Sequence, residues 1–162
     1  MSKKASLELR RRQTEAYVSF THLDRKLEEL MAKLLEDEGL GEVSPRRAAV
    51  LVILFNARKP LPARRIAERL GVSEVTVGRF VHALCELGWV EREKDPNDAR
   101  VQLISPTPKA YDTLPSFIEV SNQALDMAFA GFDETQIAEM NGYLRQLAKN
   151  LGIGLLPGQD TE

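Results

Sequence analysis

The first long segment of the chain carries apolar residues at Ala16, Phe20, Leu23, Leu27, Leu30 and Leu34, at alternating spacings of four and three. That spacing places them in one seam along a helix. Gly39 and Gly41 end it, because glycine takes the left-handed conformation of a helix terminus without steric cost. Ser44 and Pro45 read as the N-cap and first residue of a second helix to Ala57, apolar nearly all round and therefore expected to be buried. Pro60 and Pro62 break the chain, Ala63 to Leu70 forms a short third helix stopped by Gly71, and Ser73 caps a fourth that runs to about Leu87 before Gly88.

From Trp89 the pattern turns extended. Trp89–Lys94 and Arg100–Ser105 read as strands joined by Asp95-Pro96-Asn97-Asp98-Ala99, whose turn formers predict a hairpin with a loop longer than two residues. Thr107 and Pro108 open a fifth helix to about Ala130, with a kink or short break at Pro115, which has no backbone donor. Asp133 and Gln136 form a capping-box sequence before a sixth helix carrying Ile137, Met140, Leu144 and Leu147. The tail after Gly152 is expected to fray. The fold class predicted is mainly α: a winged helix-turn-helix with a two-stranded wing, flanked by N- and C-terminal dimerisation helices. The expected divisions are 1–44, 45–106 and 107–162. A seam near thirty residues long, with an amphipathic C-terminal helix, exceeds what a small winged domain can cover and predicts a homodimer.

Composition narrows the function class. A chain of 162 residues with 43% apolar and 28% charged residues has the makings of a packed core rather than wholesale disorder. The longest apolar run, Ala48 to Phe55, is too short to cross a bilayer, and Arg10, Arg11 and Arg12 precede any apolar run, so a cytoplasmic protein with no membrane partner is expected. The net charge of −2 conceals an uneven distribution: Pro45 to Lys109 holds twelve Lys and Arg against seven Asp and Glu, whereas Ala110 to Glu162 holds two against eight. A basic centre can bind phosphate while the whole chain stays acidic.

Ala67 through Val77 has the spacing of a helix-turn-helix: a small residue where the helices cross, Gly71 in the turn, and Val77 anchoring the second helix. On a helical wheel Val77, Phe80, Val81 and Leu84 share one side of the fourth helix and Val75, Arg79, His82 and Glu86 the other. The exposed N-terminal part presents Ser73, Val75, Thr76, Gly78 and Arg79, which suits the major groove. Arg79 can pair bidentately with guanine, Val75 can touch a thymine methyl, and Gly78 permits close approach. Glu74 either accepts from cytosine or favours the helix N-terminus. The hairpin adds Arg92, Lys94 and Arg100, the last suited to the negative minor groove, with Asp98 placed to pair with Arg100 or to cap the turn. Arg46, Arg47, Arg64 and Arg65 at helix starts are candidate phosphate contacts. The rival reading for each charged residue is a solvated surface.

The run Ile66-Ala67-Glu68-Arg69-Leu70-Gly71-Val72-Ser73, then Val77, Leu84, Gly88-Trp89-Val90-Glu91-Arg92, Asp95-Pro96-Asn97-Asp98-Ala99-Arg100 and Thr107-Pro108-Lys109, resembles the MarR family of bacterial regulators. The resemblance implies an obligate homodimer joined through the first, fifth and sixth helices on a pseudo-palindromic operator in double-stranded DNA. It also implies that Arg100 is the minor-groove arginine and that Ser73, Val75, Thr76 and Arg79 occupy recognition positions. The implied function is a sequence-specific transcriptional regulator, a repressor released by a small aromatic or phenolic effector. Asn97 departs from the family pattern where arginine is frequent, Pro106 where leucine is usual and Ala110 where glycine is usual.

Tyr17, His22, Phe55 and Tyr111 are the candidate effector-binding residues. No phosphate loop, nucleophile elbow or metal helix has its spacing here, so neither enzyme activity nor a cofactor is expected, and two histidines with one cysteine make no metal site. Two rival functions remain: a thiol-based redox sensor acting through Cys85, weighed against a structural cysteine beside the core, and a winged-helix module that binds protein. The basic hairpin and Arg79 favour DNA over the latter.

Overall fold

Proline and glycine punctuate the chain much as their chemistry demands. The computed structural model describes residues 3–152. They form α1 (Lys3–Asp37), α2 (Pro45–Ala57), β1 (Leu61–Pro62), α3 (Ala63–Leu70), α4 (Glu74–Glu86), β2 (Val90–Lys94), β3 (Gln102–Pro106), α5 (Pro108–Asp112), α6 (Leu114–Ala128) and α7 (Glu134–Asn150). The tail expected to fray lies outside the described residues. No helix among them is long and apolar enough to cross a membrane.

α1 closes where the glycine predicts. Gly39 adopts φ 73°, and the Leu40 amide donates back to the Leu35 carbonyl at 2.7 Å, which satisfies a carbonyl that the helix end leaves open. α3 ends the same way at Gly71, φ 66°. Ser44 differs from expectation. Its side chain makes no cap hydrogen bond; its carbonyl instead accepts from the amides of Arg47 and Ala48, both at 2.9 Å, and Pro45 supplies the start by having no amide to satisfy. α2 ends on Arg58, a non-glycine residue at φ 52°.

The sheet has three strands in the order β1-β3-β2, all antiparallel. The expected two-stranded wing is therefore joined at its root by β1, with Leu61 opposite Ile104 and Pro62 opposite Leu103. Arg100 was expected to open the second strand, but β3 begins at Gln102 and Arg100 belongs to the turn. The break at Pro115 is real: Thr113, at φ −96° and ψ −1°, closes α5 and opens α6. Its hydroxyl donates to the Lys109 and Ala110 carbonyls at 3.1 Å. The single expected fifth helix is thus two. Asp133 and Gln136 form both hydrogen bonds of the capping box at the start of α7.

One apolar cluster runs from Leu35 at the end of α1 through α2, α3 and α4 to Trp89, Ile104, Phe117 and Val120. The α1 seam joins it only at its end: Leu34 packs against the cluster, while Phe20, Leu23 and Leu27 remain exposed, Leu23 by 58%. α1 lies along α6, and Ile118, Leu125, Tyr143, Leu144 and Leu147 on α6 and α7 are exposed as well. Exposed apolar faces thus run along α1, α6 and α7.

Candidate nucleic-acid interface

α4 buries Val77, Val81 and Leu84 and turns the opposite side to solvent. Val75 is 75% exposed, and Arg79 is exposed about one and a half turns from the helix start. Ser73 and Thr76 are partly committed to the cap: the Thr76 amide donates to Ser73 Oγ at 3.1 Å, and the two hydroxyls share a hydrogen bond of 2.8 Å. Among the described residues, beyond its chain neighbours and the adjoining backbone of its own helix, nothing lies within 4 Å of where a Cβ on Gly78 would stand. Internal packing does not require glycine there, and the surface stays open for close approach.

The wing tip is shaped by carboxylates acting on the backbone. Asp98 Oδ1 accepts from the Arg100 amide at 3.0 Å and Asp95 Oδ1 from the Asn97 amide at 2.8 Å; the Asp95 amide donates to the Val101 carbonyl at 3.0 Å. Of the two roles expected for Asp98, the turn cap is the one formed. The Asp98 carboxylate thus serves the turn, and the Arg100 guanidinium makes no ion pair among the described residues. Between α4 and the wing lies a groove of about 440 Å³ lined by Glu74, Gly78, Arg92, Arg100 and Gln102. Arg79, Arg92, Lys94 and Arg100 form no ion pair among the described residues.

The helix-start arginines are mostly engaged. Arg46 meets Glu28 of α1 through two hydrogen bonds of 2.9 Å, which hold the Glu28 carboxyl below its ordinary pKa. Arg64 and Arg65 both donate to Glu68, at 3.1 and 2.9 Å. Only Arg47 of the four has no ion pair among the described residues. The spacing of Arg64 and Arg65 to Glu68, four and three residues on one helix, was the available signal for this pairing.

A second concavity, about 590 Å³, opens between α2 and α5–α6. Phe55 and Tyr111 meet in it with ring centroids 5.5 Å apart, beside Val52, Arg58, Ile118 and Asn122. Tyr17 and His22 do not line it; both lie exposed on α1. Cys85 is half-buried against the core, and no cluster of metal-ligating side chains occurs among the described residues.

Trp89, at the root of the wing, is a structural centre that sequence reasoning missed. It is 1% exposed, its indole N–H donates to Glu42 Oε1 at 2.7 Å, and its ring packs edge-on against Phe117 at 5.6 Å. Lys109 Nζ lies 4.4 Å from the ring centre and donates to Glu42 at 2.8 Å and to the Leu87 carbonyl at 2.9 Å. The Lys109 ammonium, and after it the indole N–H, hold the Glu42 carboxyl below its ordinary pKa. A carboxyl with a depressed folded pKa stabilises the fold fully above its unfolded value, and that stabilisation is lost as pH falls through the folded value. Glu42→Gln is therefore expected to be less stable than the parent protein at pH 7, with the gap closing toward pH 3. Urea titrations across that range check it; a gap independent of pH contradicts the role.

Comparison with known proteins follows the same lines. Residues 43–101 match the model of the MarR family. A MarR-family transcriptional regulator from Rhodococcus sp. RHA1 aligns with a TM-score of 0.71 at 22% identity, over 84% of this chain and 94% of that one. Reduced AbfR bound to DNA gives 0.74 at 20% identity, over 90% and 98%. CouR from Rhodococcus jostii RHA1 bound to p-coumaroyl-CoA gives 0.68 at 24% identity, over 79% and 87%. No curated relative matches the sequence. Residues 43–101, from the end of the α1–α2 loop to the tip of the wing, are thus similar to the MarR family model, and the described chain has the winged-helix fold of these solved structures.

Proposed function

We propose that the chain is a sequence-specific regulator of transcription that binds double-stranded DNA as a homodimer on a pseudo-palindromic operator. The observation that carries this reading is a set of exposed cations with no ion pair among the described residues: Arg92 and Arg100, which line the α4–wing groove, with Arg79 exposed on α4 and Lys94 exposed on the hairpin. The α4 face enters the major groove, where Arg79 reads guanine and Val75 meets a thymine methyl, with Ser73, Thr76 and Gly78 at the helix start. The wing follows the adjacent backbone and Arg100 reaches the minor groove. AbfR, which shares the fold, has been solved on DNA.

The exposed faces of α1, α6 and α7 supply the dimer contact, so that residues 1–44 and 107–162 serve association and 45–106 serve DNA. The cavity beside Phe55 and Tyr111 takes a small aromatic acid or phenol whose binding lowers DNA affinity, and Arg58 at its edge suits an anionic group. The comparable fold of CouR has been solved with p-coumaroyl-CoA. Selection of bound duplexes from a random pool tests the reading, with sedimentation of the same sample. Enrichment of an inverted repeat by a species of about twice the 18.2 kDa chain mass is expected. Failure to enrich any sequence counts against the reading.

A further inference from the structure

α3 stands at the edge of the proposed DNA surface: Pro62 and Ala63, just before and at its first residue, line the same groove as Arg92 and Arg100. Its next two residues, Arg64 and Arg65, place two adjacent guanidiniums on that edge, with side chains 79% and 67% exposed. Neither is available as an isolated cation. Glu68 Oε1 accepts from Arg64 Nε and Oε2 from Arg65 Nη1, so both carboxylate oxygens are occupied by different guanidiniums. Glu68 is held below its ordinary pKa by Arg65 and Arg64 together and is therefore ionised at neutral pH.

This arrangement differs from that on α4 and the wing, where Arg79, Arg92 and Arg100 have no carboxylate partner among the described residues. Contacts to phosphate carry affinity for any sequence, and contacts to base edges carry the discrimination. A cation already paired to a carboxylate releases fewer counterions when it meets phosphate. We propose that Glu68 is a specificity-determining residue: it withholds Arg64 and Arg65 from the DNA backbone and so limits sequence-independent binding, leaving the unpaired Arg79 to set the preference. This role rests on the DNA-binding reading above and extends it to a residue that touches no base.

The test uses the full-length protein and two duplexes, the sequence enriched by the wild-type protein and a scrambled one, titrated at several salt concentrations. Glu68→Gln is expected to bind the scrambled duplex about tenfold more tightly near 0.1 M salt and to steepen the slope of log affinity against log salt by about 1 to 2 per subunit. The ratio between the two duplexes should narrow. The same substitution made in an Arg64→Ala/Arg65→Ala background should change neither quantity, because no withheld cation is left to release. If the gain persists in that background, the effect is simple removal of negative charge near DNA and the proposal is overturned. Unchanged or weaker binding by a folded Glu68→Gln protein, with the wild type still selecting its sequence, overturns the proposal and leaves the DNA-binding reading standing. A wild-type protein that binds neither duplex overturns both. Thermal melting of each variant establishes that it is folded.

Discussion

Arg79→Ala is expected to cost about 1–3 kcal/mol per half-site on the selected operator and to flatten discrimination at one base pair. The reason is geometric. Arg79 projects from the outer side of α4, whose opposite side is fixed in the core by Val77, Val81 and Leu84. A planar guanidinium on so rigid a support reads one position. Arg100→Ala should behave differently: weaker binding to every duplex and a salt slope shallower by about 1 per bound subunit, with base preference largely kept. Titrating both variants against matched and singly substituted duplexes at several salt concentrations separates the roles. Equal loss of discrimination in the two variants contradicts the division of labour, and unchanged binding by both removes the proposed surface.

Trp89→Ala is expected to destabilise the protein by about 3–5 kcal/mol, the usual cost of deleting a large buried aromatic side chain. The substitution empties the space against Phe117, removes the ring beneath the Lys109 ammonium and takes away the indole donor to Glu42. Such a loss is a large share of the stability of an ordinary domain, about 5–15 kcal/mol. Trp89→Phe retains an aromatic ring and leaves Glu42 its bond to Lys109, so it should lose markedly less. Urea unfolding of the two variants checks the order; a Trp89→Ala protein within about 1 kcal/mol of wild type contradicts the assigned role.

What the sequence made legible was what neighbouring residues decide among themselves. Gly71 needs a positive φ, Ser73 caps the helix three residues before Thr76, and Asp133 with Gln136 closes a box on itself, so each can be read locally. The break near Pro115 belongs to the same class, since a missing amide acts within one turn. The illegible parts are long-range. β1 is two residues long and exists because Leu61 finds Ile104, far beyond any periodic window. Glu42, Trp89 and Lys109 come from three separate segments and meet only after the helices pack. Tyr17 was grouped with Phe55 and Tyr111 on chemistry alone, but it lies exposed on α1 and does not line the cavity in which those two rings meet. His22, also exposed on α1, does not line that cavity either. For Arg64 and Arg65 the charges were legible, and so was the spacing of four and three residues to Glu68 that pairs them, although a reading of charges alone passes over it.

The three-stranded root of the sheet divides the wing into two mechanical parts. Leu103 and Ile104 of β3 are paired on both edges, to β1 on one side and β2 on the other. The hairpin is therefore clamped at that level, and only the segment beyond the Lys94–Gln102 pair hangs free. Arg92, opposite Ile104, travels as a fixed part of the body that holds α4. Arg100 rides on the overhang, where Asx turns set the shape without burial. Two arginines that line one groove thus differ in compliance. In the proposed complex Arg92 would hold a set distance to α4, and Arg100 would follow the width of the DNA groove it meets.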